Sequence, residues 1–226
     1  MTQKIKELFE KARIKISDNQ AEKLLKFYNF LMAENEKYNL TAIKDFEDVV
    51  IKHFIDSAVA TQYFYGKVLD VGAGAGFPGV VLAILNPKLE ITLVDSLNKR
   101  VNFLNSLKNE LKLNNIIAIH SRIEDFQKKA EFDCVTARAV AELPTLLEYL
   151  LPFLKIGGRA IIYKGGNCFE EVEKSSEALK ILGGQIEEMT KYSIFDNLRT
   201  LITVKKVVSS PHNFPRGGNL PRKKPL

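Results

Sequence analysis

The sequence predicts an α/β protein: a largely parallel sheet covered by helices on both faces, with a helical extension before it and a basic tail after it. Three observations predict this. Between residues 67 and 164, five short apolar runs alternate with helical patterns, the rhythm of βαβ units. The first run opens into the glycine-rich turn of "VLDVGAGAGFPGVV" at 68–81. Before residue 66 the apolar residues recur at helical spacing instead. The boundaries expected are a helical extension at 1–65, a sheet domain at 66–208 and a Pro-rich basic tail at 209–226.

In the extension, Ile5, Leu8, Phe9 and Ala12 share one helical face. Ser17 and Gln20 form an S-x-x-Q capping box, after which Leu24, Phe27, Tyr28 and Leu31 continue a second stripe. A third helix is expected at about 46–62, with Val49, Val50, Phe54 and Ala58 inward, and Gly66 ends the helical region. The strands expected are "KVLDV", "EITLVD", "NIIAIH", "FDCVTA" and "GRAIIYK", followed by helices near 79–85, 97–112, 141–154 and 169–182. The last two apolar runs, around 184–194 and 199–208, have only a short polar link between them. They predict an antiparallel hairpin at the sheet edge. Four prolines and two glycines in the last sixteen residues predict a loop or extended tail.

Composition excludes several classes. No apolar run approaches the roughly 18 residues of a membrane span, and the N-terminus lacks a signal-peptide core. Cys134 and Cys168 suggest neither a disulfide framework nor a zinc site. A cytoplasmic protein without a membrane partner is expected. The net charge is +6, and residues 197–226 hold Arg199, Lys205, Lys206, Arg216, Arg222, Lys223 and Lys224 without an acid. The other 196 residues therefore sum to about −1. So localised an excess fits a polyanion-binding surface, with a merely solvated tail as the alternative.

The glycine turn lies where an open parallel sheet binds ligands, beyond the carboxyl end of its first strand. It lacks the Gly-Lys-Ser/Thr of a nucleotide triphosphatase. Gly74, Gly76 and Gly79 do satisfy G-x-G-x-x-G, which keeps a dinucleotide fold open. Three features favour S-adenosylmethionine. Asp70 would suit a cationic ligand and repel a pyrophosphate. Pro78 removes one N–H donor from the turn. The terminal hairpin replaces the further parallel strands of a dinucleotide fold. Asp95, ending the second strand, suits ribose hydroxyls under either reading.

Taken together, "YNLTAI", "KHFIDS", "VLDVGAGAGFPGVVLAI", "LVDSLNKRVNFL", "SRIEDF", "FDCVTARAV" and the tail "FPR…P" resemble the bacterial 16S rRNA guanine-N7 methyltransferase family (RsmG, also called GidB) over nearly the full chain. The resemblance implies a class I S-adenosylmethionine-dependent methyltransferase: a Rossmann-like, largely parallel seven-stranded sheet. It also implies methyl transfer from S-adenosyl-L-methionine to N7 of a guanine in the 530 loop of 16S rRNA. Its cofactor contacts fall on Gly72, Phe77, Ile123, Glu124 and Arg138, beside the Asp70, Gly74 and Asp95 already singled out. The partner implied is 16S rRNA, free or in a 30S subunit or its assembly intermediate, for a chain expected to be a monomer. A non-catalytic RNA-binding module on the same fold is disfavoured by the intact glycine turn and its two aspartates.

Guanine N7 has a lone pair and no proton to lose, so its methylation needs placement and no general base. In agreement, "TARAVAEL" replaces the Asn/Asp-Pro-Pro-aromatic motif of amino-group methylators, and no Pro-Cys nucleophile occurs. His53 and Asp56 are therefore candidates for positioning the guanine, with a packed, hydrogen-bonded histidine as the alternative for the first. Arg138 suits a cofactor carboxylate or a phosphate, or a surface ion pair. Lys164, Arg216, Arg222, Lys223 and Lys224 are expected to meet RNA phosphates, the tail prolines keeping that segment extended. Cofactor binding is expected to survive deletion of residues 211–226.

Overall fold

The computed structural model describes residues 1–226. Seven strands form one sheet: β1 (Lys67–Val71), β2 (Glu90–Asp95), β3 (Ile116–His120), β4 (Phe132–Arg138), β5 (Leu154–Gly165), β6 (Gly184–Ile194) and β7 (Asn197–Lys206). Their order is β3-β2-β1-β4-β5-β7-β6. The strands β1 to β5 are mutually parallel, and β7 runs antiparallel to both β5 and β6. The chain builds outward from β1 to β3, then returns to lay β4 on the other side of β1. That reversal opens a crevice beyond the carboxyl ends of β1 and β4, the place where such sheets bind ligands.

Both faces of the central strands are buried, as parallel strands require. Val68 and Ile91 join a core with the N-terminal helices, whereas Leu69 and Val135 pack with the helix Leu143–Leu150. The first helices therefore share the sheet's core. In α1 (Thr2–Lys11) Ile5, Leu8 and Phe9 turn inward, and in α2 (Asp18–Tyr38) Ala21, Leu24, Phe27 and Leu31 do. The capping box forms as its spacing requires: Gln20 N–H donates to Ser17 Oγ at 3.3 Å and Ser17 N–H to Gln20 Oε1 at 2.8 Å.

The third helical run covers 46–58, but its middle, Val50–Ile55, is π-helical. The helix expected at 169–182 is broken into Phe169–Glu173 and Ser176–Leu182. Buried Ser175 stands at the break and donates through Oγ to Glu171 O at 2.6 Å, the back-bonding that disfavours serine inside helices.

The tail departs most from expectation. It is not extended but folded back on the helix Leu143–Leu150, ending in the short helix Leu220–Lys223. Arg216 supplies the reason. Its Nη2 lies 2.6 Å from Glu148 Oε2 and its Nε 2.9 Å from Oε1, while its backbone N–H also donates to Oε1 at 2.8 Å. Glu148 is fully buried, so this charge needs its partner, and breaking such a pair costs about 3–5 kcal/mol. Lys206 is likewise consumed inside: its ammonium donates to Leu182 O at 2.5 Å and to Ser210 Oγ. Burial draws its pKa down to about 8.

Candidate functional site

Two clefts open beyond the carboxyl ends of the strands, on either side of the 138–141 segment that follows β4. The first encloses about 110 Å³. Val71 and Gly72 line it at the end of β1, Val94, Asp95 and Ser96 at the end of β2, and Ser121, Arg122, Ile123 and Glu124 after β3; Val140, Tyr149, Asn219 and Arg222 complete it.

Backbone makes most of this cleft. Gly72 has φ +71°, a conformation that glycine adopts without strain, and a Cβ there would stand 2.8 Å from Val140 Cγ2. Gly79 serves a different end: a Cβ on it would meet Leu93 Cδ2 at 2.3 Å, so the helix Gly79–Leu85 lies hard against the sheet. Asp95 shapes the rim. Its Oδ2 accepts the Gly74 N–H and its Oδ1 the Leu97 N–H, both at 2.9 Å. Arg100 Nη1 also donates to Oδ2 at 3.4 Å; a carboxylate has about four acceptor sites, so one remains for a ligand hydroxyl.

These residues fit a nucleoside. Asp95 and Glu124 accept hydroxyl protons, Val71, Val94 and Val140 present apolar surface, and the opening N–H groups of the 3₁₀ turn Ile123–Asp125 lack intrahelical partners. Thus the structure brings Gly72, Asp95, Ile123 and Glu124 together, as cofactor contacts would require. It adds Arg222, expected on RNA. Gly74 does not line the enclosed part and spends its N–H on Asp95.

Asp70 lies elsewhere than expected. It is fully buried beneath the turn, with Oδ2 accepting the Gly79 N–H at 2.8 Å and Oδ1 without a partner. Burial pushes its carboxyl up to about 7, against the lowering effects of the Gly79 N–H and Arg138. It anchors the helix start from below and does not line the first cleft. Phe77 is also a packing residue here: 7% exposed, it stacks between Phe27 at 5.1 Å and the His53 ring at 4.5 Å.

The second cleft, about 440 Å³, is built from side chains: Lys52, His53, Asp56, Arg138, Lys164, Glu171 and Arg199 among its lining. Arg138 is its hub. At the end of β4 its Nη1 donates to Asp56 Oδ2 at 2.9 Å and to Lys52 O at 3.2 Å, and its Nη2 to His53 Nδ1 at 3.2 Å. Its Cζ lies 5.0 Å from the Phe77 ring centre.

A guanidinium only donates, so His53 Nδ1 must accept. Its Nε2 then carries the proton and donates to Thr41 Oγ1 at 3.0 Å. Thr41 is placed by Asn35, whose Oδ1 accepts the Leu40 and Thr41 N–H groups at the end of α2. Burial first, and Arg138 second, lower the His53 pKa to about 4. At neutral pH this ring is an uncharged spacer between Thr41 and Arg138.

Asp56 Oδ1 takes the Tyr192 hydroxyl at 3.3 Å and faces Arg199 Nε at 3.6 Å. Lys164 is not a free cation: its ammonium pairs with Glu171 at 2.5 Å. The cluster therefore joins His53, Asp56, Arg138 and Lys164, and adds Lys52, Glu171 and Arg199. Sequence reasoning left out Lys52 and Glu171, and counted Arg199 only within the basic excess of 197–226. Lys52 stands one residue before His53 and is the only one with a local signal. Arg216 belongs to neither cleft, whereas Lys223 and Lys224 are exposed on the tail. The His120 ring meets Ser96 O at 3.0 Å, at the end of β3.

Comparison with known proteins agrees with this geometry. The family model described as rRNA small subunit methyltransferase G (GidB) matches residues 20–199. Ribosomal RNA small subunit methyltransferase G of Desulfitobacterium hafniense is 43% identical over 224 residues, covering 96% of this chain and 94% of that protein. Its namesake in Lachnoclostridium phytofermentans is 44% identical, covering 93% and 91%. Among solved structures, M. jannaschii TYW2 in complex with AdoMet aligns with a TM-score of 0.55 at 17% identity, over 67% of this chain and 77% of that one. A SAM-dependent O-methyltransferase from Thermotoga maritima aligns at 0.55 and 15%, over 80% and 73%. The fold is that of S-adenosylmethionine-dependent methyltransferases, and the chain belongs to the rRNA small subunit methyltransferase G family.

Proposed function

We propose that this chain transfers the methyl group of S-adenosyl-L-methionine to N7 of a guanine in the 530 loop of 16S rRNA. Family membership supports the coarser part, an S-adenosylmethionine-dependent methyltransferase acting on small-subunit rRNA. The second cleft supports N7 in particular. Every titratable group that could act there as a base is already committed: His53 is neutral and bonded at both nitrogens, Asp56 is held by Arg138, and Glu171 by Lys164. N7 carries no proton, so such a cleft suits it, whereas an amino-group acceptor would need somewhere to send one.

When bound, S-adenosylmethionine supplies a methyl group activated by a cationic sulfur. The residues Gly72, Asp95, Ile123 and Glu124 hold the nucleoside end in the first cleft. Arg138, with Lys52, Lys164 and Arg199 beside it, faces the acceptor base and its phosphates, these four cations outnumbering the lining carboxylates of Asp56 and Glu171 that pair with them. His53 and Asp56 fix the Arg138 guanidinium, so their contribution is to position it.

No helix is long and apolar enough to cross a membrane. The enzyme is proposed to act in the cytoplasm as a monomer on 16S rRNA, in the 30S subunit or its assembly intermediate. Mapping 7-methylguanine in 16S rRNA from cells with and without the gene tests the activity. The mark should disappear with the gene and return with a plasmid copy; a mark that persists would overturn the assignment. The chemistry has its own test: single-turnover rates should be flat between about pH 6 and 8.5. A one-proton rise that His53→Asn removes would show a general base at work.

A further inference from the structure

The tail that sequence reasoning assigned to RNA stands against the first cleft. Residues 215–226 are pinned to the helix Leu143–Leu150 at two points: Arg216 on buried Glu148, and Pro221 O on the Thr145 hydroxyl at 2.9 Å. Arg216 Nη2 also donates to Lys224 O at 2.9 Å, which draws the strap's end back onto its start. Asn219, between the pins, and Arg222, just past the second, line the cavity opposite the ends of β1, β2 and β3. Arg222 Nη2 donates to Val140 O at 2.8 Å, which holds the guanidinium at the rim.

That placement bears on the ligand. Pockets for ligands of this kind occupy roughly 300–1,000 Å³, well above the 110 Å³ enclosed here. A ligand seated on Asp95 and Ile123–Glu124 must therefore reach beyond the enclosed space, and Asn219 and Arg222 of the strap form one of the walls it meets. Of the five N–H donors of a guanidinium, one of Arg222's is spent on Val140 O and another is drawn to the Tyr149 hydroxyl, which leaves donors for acceptor atoms of the ligand. Arg222 lines the same cavity as Asp95, Ile123 and Glu124, the residues proposed for the nucleoside end.

We infer that residues 215–226 form a built wall of the cofactor pocket, in which Arg222 binds the adenosine end of S-adenosylmethionine. This rests on the cofactor reading above and reverses the expectation that cofactor binding survives loss of the tail. Arg222 is exposed, so its substitution spares the fold.

Calorimetry with S-adenosylhomocysteine and with 5′-methylthioadenosine, which lacks the amino-acid end, tests it on the full chain. Arg222→Ala should raise the Kd for both ligands about tenfold, the scale of one charge-assisted hydrogen bond. Lys223→Ala, absent from the cavity lining, should stay within about twofold. In the wild type, S-adenosylhomocysteine should slow amide exchange over residues 216–224. An Arg222→Ala protein that binds both ligands like the wild type would overturn the wall. Weakening for S-adenosylhomocysteine alone would overturn the adenosine contact. A wild type that binds neither ligand would overturn the cofactor reading as well, and so is distinguishable from failure of the wall alone.

Discussion

The two clefts stand a few residues apart yet are made of different material. The first is backbone and short side chains at the ends of consecutive strands, held by the Asp95 carboxylate on the Gly74 and Leu97 N–H groups. The second is a knot of long charged side chains from four distant segments: the helical run 46–58, β4, the β5 end with its following helix, and β7. The difference matches the tasks proposed for them. A small ligand of fixed shape is met by a fixed backbone cradle, whose cost was met in folding the sheet. A polyanion is met by cations, and Arg138 keeps its orientation because carboxylate, carbonyl and imidazole each hold one side of it.

The largest effect should come from cutting the knot. Asp56 and Arg138 have side chains only 6% and 14% exposed, and removing one member of such a pair costs about 3–5 kcal/mol. Asp56→Ala should therefore lower unfolding free energy by about that amount in urea titration and abolish rRNA methylation. The separation of the clefts predicts more: the Kd for S-adenosylhomocysteine should move less than about threefold below the unfolding transition. A tenfold rise would merge the two clefts into one site and return Arg138 to the cofactor.

Gly72→Val should strike the other side. The backbone there has φ +71° and the new Cβ would meet Val140, so a β-branched residue is strained and displaces the cavity wall. S-adenosylhomocysteine affinity should fall about a hundredfold or more, while binding of a 530-loop RNA hairpin stays within about threefold. Loss of both together, with melting unchanged, would break the division.

How legible the two clefts were follows from the same difference. The first is written locally: "VLDVGAGAG" and the "VD" ending β2 supply residues that line the cavity, and G-x-G spacing announces close backbone approach. The parallel order and the terminal hairpin were legible because hydrophobic periodicity is local too. The second cleft depends on pairings such as Gly165 with Arg199, where β7 runs antiparallel to β5. No spacing in the sequence records that Arg199 will face Asp56. Composition misled about the tail for a related reason. Seven cations without an acid look free in one dimension, yet Glu148, Asp56 and the Leu182 carbonyl, all remote in sequence, claim Arg216, Arg199 and Lys206.

The knot also carries a pH signature. His53 ordinarily titrates near 6.5 and is held down to about 4. Its folded pKa lies below its unfolded one, so the unfolded chain takes up a proton first as pH falls. The contribution is complete above pH 6.5 and is lost progressively toward pH 4, amounting to about 2 kcal/mol after allowance for partial exposure. Denaturation of the wild type and His53→Asn between pH 7 and 4.5 should give a shallower pH slope for the variant. Equal slopes would mean that His53 takes up its proton alike in the folded and unfolded states and is not held neutral by burial and Arg138.

The smallest effect distinguishes the tail's two roles. With Arg216 on Glu148 and Arg222 held on the Val140 carbonyl at the cavity rim, Lys223 and Lys224 are the exposed final cations of the tail whose side chains hold neither a carboxylate nor a carbonyl. Each phosphate neutralised contributes about 0.7–0.9 to the salt slope of log affinity. The Lys223→Ala/Lys224→Ala double variant should therefore flatten the slope for a 530-loop hairpin by at most about 1.5, below the two to four units that a free cationic tail would imply. Its affinity for S-adenosylhomocysteine should be unchanged, since neither lysine lines the cavity. A drop of three units would show that the strap leaves Glu148 when RNA arrives, freeing Arg216 for phosphate. The tail would then be a moving part shared by both clefts, and the line drawn between them would hold only for the enzyme without its substrate.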